Sequence, residues 1–193
     1  MSHKIGITGG IGSGKSVVSR ILRNLGIPVY DSDQEAKRLI HSHPDIRKEL
    51  TALVGDALYT TDGILRKDIL ASYLFASSEH AGSVNSIVHP RVRSDFREWL
   101  AAHATAPYIA IESAILYESH LNLDVDQVWL VDAPRELRIR RATLRDRSTR
   151  EQILSRMARQ SSDEELRRKA DKIICNDESH PLLPQILPSI QKK

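Results

Sequence analysis

The sequence predicts an α/β fold: a five-stranded parallel sheet flanked by helices. Three observations predict it. Short β-branched, apolar runs at 4–8, 27–31, 108–112, 127–132 and 172–175 are separated by helical segments. The first run feeds a glycine-rich loop that opens directly into an amphipathic helix. The stretch 45–103 keeps helical periodicity with no strand inside it, as an insertion into such a core would.

Lys4-Ile-Gly-Ile-Thr8 reads as a buried parallel strand. It runs into Gly9-x4-Gly14-Lys15-Ser16, which satisfies the phosphate-loop pattern G-x-x-x-x-G-K-[ST]. Val17, Val18, Ile21, Leu22 and Leu25 then recur at helical spacing, and Gly26 stands at a natural C′ stop. Strand, loop and helix in that order are the context the motif requires. Gly9, Gly10, Gly12 and Gly14 are expected to take positive φ and bring backbone N–H groups against phosphate oxygens, with Ile11 and Ser13 in the same turn. The helix beginning near Lys15 adds its positive dipole end. Lys15 supplies an ammonium for the β and γ phosphates, and the Ser16 hydroxyl takes a place on Mg²⁺.

A second strand, Ile27 to Asp31, is followed by Ser32 as a helix cap, with Asp33, Gln34 and Glu35 in the first turn. The helical run 45–103 is expected to break at Gly55, at the turn Thr60 to Gly63 and at His89-Pro90. Strands resume at 108 and 127, each ending in a carboxylate. Residues 135–170 read as helical and very basic, Lys172 to Cys175 as a last strand, and Pro181 to Ile190 as a closing helix. The predicted organisation is one domain over 1–193. Its core is 1–44, 105–134 and 171–193, with a helical insertion at 45–104 and an Arg-rich lid at 135–170.

Composition narrows the function. The chain has 193 residues, 40% hydrophobic and 27% charged, and a single cysteine, Cys175. An internal disulfide is therefore excluded, a reducing cytoplasm is the expected compartment, and no apolar run is long enough for a membrane span. The first strand starts at once, so no signal peptide is expected. A net charge of +3 favours an anionic partner. With only 5% aromatic residues and no stacking motif beside the arginines, nucleic acid is not expected to be that partner. A regulatory GTPase would carry Asn-Lys-x-Asp, which is absent. A small-molecule kinase accounts for loop, insertion and basic segment together. A kinase for another metabolite or nucleotide is the alternative, and a nucleic-acid-binding NTPase a weaker one.

Ligands in parallel sheets bind at the carboxyl ends of strands, where Thr8, Asp31, Asp33, Glu112 and Asp132 fall. Asp31 and Asp33 can orient an acceptor hydroxyl or hold Mg²⁺ through water; equally, one can cap a helix and the other decorate its first turn. Arginines at 135, 138, 140, 141, 145, 147 and 150 crowd the basic segment. Charge around a transferring γ-phosphoryl needs such groups, and Arg141, Arg145 and Arg147 are the candidates to reach nucleotide. His89 on its own reads as a surface or capping residue.

Taken together these residues resemble the dephospho-CoA kinase family over essentially the whole chain. The resemblance is carried by Thr8 to Ser16, Asp31-x-Asp33, Val84-Asn-Ser-Ile-Val-His-Pro90 and Ile111 to Glu118. It continues in Arg141-x3-Arg145-Asp146, Arg156-x3-Gln160, and Ala170-Asp171 leading to Asn176. Val17 stands where the family usually has Thr, and Glu112-Ser113-Ala114 replaces a stretch with Pro-Leu. The resemblance implies ATP-dependent phosphorylation of the ribose 3′-hydroxyl of dephospho-coenzyme A. It implies Asp33 as the acid that orients and deprotonates that hydroxyl, Lys15, Ser16 and the loop through Val17 for phosphates and Mg²⁺, and Arg141 and Arg145 toward nucleotide. Asn176 would lie near adenine, His89 and Pro90 would shape the acceptor site, and Thr8 would touch the acceptor end. ATP and dephospho-CoA are the implied partners; no nucleic acid, membrane or obligate protein partner is expected.

Overall fold

All five predicted strands form, and they form one sheet. In the computed structural model, which describes residues 2–190, β1 (His3–Thr8), β2 (Val29–Asp31), β3 (Tyr108–Glu112), β4 (Gln127–Asp132) and β5 (Lys172–Cys175) are ordered β2-β3-β1-β4-β5. Every pairing is parallel, with β1 between β3 and β4. The central strand is the one that enters the glycine loop, so the loop leaves the middle of the sheet at its carboxyl edge. Helix α1 (Lys15–Asn24) covers the sheet through Val18 and Leu22, which join Ile5, Ile7, Trp129, Val131 and Ile174 in the core. Val17 on the same helix and Leu25 just after it stay exposed. Gly26, at φ 78, ends it as expected.

The chain divides into two units, one of residues 1–31 and 100–193 and one of Ser32–Trp99. The second is helical: α2 (Ser32–Ser42), α3 (Pro44–Val54), α4 (Lys67–Ala76) and most of α5 (Ser78–Ala102). Ser32, expected as a cap, is itself the first helical residue. An antiparallel bridge between Tyr59 and Leu65 closes the turn at Thr60 to Gly63, where Gly63 takes φ 78.

The expected break at His89-Pro90 does not occur. Helix α5 runs through it with Pro90 inside. Proline removes one N–H from the ladder, the one that would bond the Ser86 carbonyl. What carries the helix across is the row Val84, Val88, Val92, Phe96, spaced by four and buried throughout. That row spans the proline without interruption, so packing outweighs a local break signal.

The basic segment is three helices: α6 (Arg135–Asp146), α7 (Arg150–Met157) and α8 (Asp163–Lys169). Arg147 closes α6 in the left-handed region, and a Thr149/Gln152 capping box opens α7. Ile139, Ala142 and Ile153 form a small core of their own, against which Ile11 of the glycine loop packs. The closing helix α9 (Leu182–Ile186) is shorter than expected and passes into a 3₁₀ turn at Leu187–Ser189. No described helix is long and apolar enough to cross a membrane.

Candidate active site

The loop between β1 and α1 has the geometry its glycines predict, with one correction. Gly9, Gly12 and Gly14 take φ of 153, 76 and 94, but Gly10 has no positive φ. Gly10 is glycine for space instead. A Cβ there would lie 2.8–2.9 Å from the guanidinium of Arg138. At Gly12 a Cβ would overlap the Arg138 carbonyl, and at Gly14 the side-chain amide of Asn176. The loop is therefore gripped from several sides. Asn176 donates Nδ2–H to the Ser13 carbonyl at 2.7 Å, and Ile11 N–H donates to Gln160 Oε1 at 2.9 Å.

Gly14 stands at the N-cap of α1, so Lys15 and Ser16 occupy its first turn, where free N–H groups and the helix dipole favour an anion. Lys15 Nζ donates to the Gly9 carbonyl at 2.7 Å and lies 3.4 Å from that of Gly10. Ser16 and Val17 are exposed at the same helix end. An exposed hydroxyl beside a phosphate cradle suits Mg²⁺, which takes few protein ligands and keeps phosphate and water oxygens. Among the described residues there is no cluster of three or more His, Cys, Asp or Glu that would hold a metal by itself.

The acids divide. Asp31 and Glu112 are direct neighbours in the β2–β3 register, so their side chains leave the sheet on one face at its carboxyl edge. Asp132 is taken by Arg167, at 2.8 Å. Asp33 follows β2 by two residues and is exposed in the first turn of α2. Thr8 is only 1% exposed at the end of β1 and presents no surface to a ligand in this conformation. His89 and Pro90 lie within α5, in the helical unit.

The arginines divide too. Arg141 donates to the Asn176 carbonyl at 2.9 Å and to Glu178 at 3.2 Å, so it reaches the residue that braces Ser13. Arg145 forms a two-bonded pair with Asp146, to which Arg156 adds a bond at 2.6 Å. These bonds, Arg145 first, hold the Asp146 carboxyl down to about 2. Arg147 supplies the left-handed cap.

Sequence reasoning missed Arg138. It is 4% exposed, lies against Gly10, and pairs with Asp163 at 2.6 Å. An arginine one position from the apolar stripe Ile139–Ala142 reads as solvated, and only the fold reveals what it faces. Gln160 was visible only as part of a pattern, with nothing to say that it would meet Ile11.

A family model for dephospho-CoA kinase matches residues 3–181. The chain is 52% identical over 190 residues to a dephospho-CoA kinase of Bacteroides fragilis, covering 98% of this chain and 92% of that one. It is 48% identical over 188 residues to that of Porphyromonas gingivalis, covering 97% and 92%. A crystal structure of a Thermus thermophilus protein superposes with a TM-score of 0.84 at 34% identity, covering 98% and 96%. The Campylobacter jejuni dephospho-CoA kinase shares the fold, with a TM-score of 0.68 at 24% identity over 93% and 90%.

Proposed function

We infer, from the premise that the chain belongs to the dephospho-CoA kinase family, that it transfers the γ-phosphoryl group of ATP to the ribose 3′-hydroxyl of dephospho-coenzyme A. The products are coenzyme A and ADP, and the reaction is the final step of coenzyme A biosynthesis. The observation that carries this reading beyond kinship is the braced loop at Gly9–Ser16, with Lys15 and the start of α1 at the carboxyl edge of a parallel sheet.

The roles of individual residues are part of the proposal. Backbone N–H groups of the loop and the α1 end hold the phosphates, and Lys15 turns from the loop carbonyls to the β and γ oxygens. Ser16 contributes to Mg²⁺, which, when bound, neutralises charge on the β and γ phosphates. Asp33 orients the 3′-hydroxyl and takes its proton as the O3′–P bond forms and the bond from phosphorus to the bridging oxygen of ADP breaks. Glu112 and Asp31, neighbours in the β2–β3 register, would order water around Mg²⁺. Arg141 and Arg145 act from the basic segment 135–170 as a lid, Asn176 stands near adenine, and the insertion 45–104, with His89 and Pro90, receives the acceptor. The single exposed Cys175 accords with a cytoplasmic enzyme.

A coupled ADP-release assay with Mg²⁺-ATP tests the reading. Dephospho-CoA is expected to be preferred over AMP, adenosine, gluconate and a short oligonucleotide. ADP release that does not depend on dephospho-CoA contradicts it.

A further inference from the structure

We propose that Arg138 and Gln160 are positioning residues of the phosphate loop: they hold Gly10, Ile11 and Gly12 in nucleotide-ready geometry before ATP arrives. The proposal rests on the loop being the ATP site.

Several independent contacts converge on these three residues. The guanidinium of Arg138 fills the space over Gly10, and its own carbonyl backs Gly12. Gln160 accepts the Ile11 N–H at 2.9 Å and donates to the Ala114 carbonyl at 3.4 Å, tying the loop to the turn after β3. The Ile11 side chain packs on the small core of α6 and α7. Asp163, the first residue of α8, fixes the Arg138 fork in place.

Loop entropy and the state of the Arg138 side chain separate this from ordinary packing. A glycine-rich loop loses more backbone freedom on ordering than any other composition, so bracing it in advance removes a cost otherwise met when ATP binds. Next, the Arg138 Nε atom is buried with no hydrogen-bond partner among the described residues. An ion pair with such an orphan donor is a poor way to stabilise a core, where apolar side chains of similar volume do as well or better. The guanidinium is explained by what it touches, the loop.

The test uses two variants and a direct readout. Gln160→Met keeps volume but can neither accept from Ile11 nor donate to Ala114. Arg138→Met with Asp163→Leu replaces the pair, buried at Arg138 and half-buried at Asp163, by apolar groups and leaves neither charge without its partner. For each, Tm, the Kd for ATP and the KM for dephospho-CoA are measured. The proposal expects the Kd for ATP of the folded protein raised roughly tenfold and a KM for dephospho-CoA within about twofold, whatever the change in Tm. A purely structural role would lower Tm and leave the Kd of the folded fraction unchanged, and that result overturns the proposal. If the double variant does not fold, Gln160→Met decides alone by the same criterion. Wild-type protein that binds no ATP would sink the functional reading itself; wild-type binding matched by both variants sinks only the positioning role.

Discussion

Asn176, just past the last strand, donates its side-chain amide to the carbonyl of Ser13 at 2.7 Å, across 163 positions of sequence. Its own backbone N–H is held by Asp132 and its carbonyl by Arg141. The end of the sheet is thus wired to the phosphate loop. Asn176→Ala leaves the Ser13 carbonyl without this donor and should cost about 1–2 kcal/mol of stability. The Kd for ATP should rise in parallel. Thermal unfolding and nucleotide titration check this together, and an unchanged Kd would remove Asn176 from the nucleotide site.

Lys15→Ala removes the ammonium that now rests on the Gly9 and Gly10 carbonyls. Charge stabilisation of this kind is worth roughly 3–4 kcal/mol in other enzymes, so turnover should fall on the order of 10²-fold or more. The side chain faces the loop and not the sheet core, so Tm should barely move. Near-normal turnover would mean that the loop is not where ATP binds.

Asp33→Asn separates a catalytic acid from a decorative one. Asn serves helix starts about as well as Asp, so a capping role predicts little change. A proton-accepting role predicts a fall in kcat of roughly 10²-fold or more, with the Kd for ATP little affected. Asp31→Asn, measured alongside with Tm for both, should be milder. Turnover retained by Asp33→Asn but lost by Asp31→Asn would move the role to Asp31.

The fold was legible because its signals were local. β1, the glycine loop and α1 each carry their own pattern, and four later strands are β-branched runs set off by helix. Pro90 was misread because a break signal was weighed without the row Val84, Val88, Val92, Phe96 that passes it. Gly10 was misread because a glycine demanded by a neighbour looks the same in sequence as one demanded by φ. That neighbour, Arg138, is 128 residues away and becomes adjacent only when α6 docks. Arg141 and Asn176 were nameable through resemblance, yet their mutual bond was not, because contacts between α6 and the end of β5 leave no spacing to read.

Acid should weaken the Asp146 cluster in a defined window. Hydrogen bonds from Arg145 and then Arg156 lower this carboxyl from 3.8 to about 2. Its folded value lies below its unfolded one, so its stabilisation is complete above the unfolded value. It is lost as pH falls through about 4 toward 2. Asp146→Asn should therefore lie below wild type in Tm near pH 6, with the gap narrowing over that window. A gap that stays constant down to about pH 2 would show that the charge on Asp146 contributes nothing.

The proposed reaction is a phosphoryl transfer to one hydroxyl of one acceptor. Its most direct test is kcat/KM for dephospho-CoA against AMP with Mg²⁺-ATP, together with the position of the new phosphate located by NMR of the product. Preference for dephospho-CoA and a phosphate on the ribose 3′ oxygen are expected. A higher kcat/KM for AMP, or phosphate on any other oxygen, would contradict it.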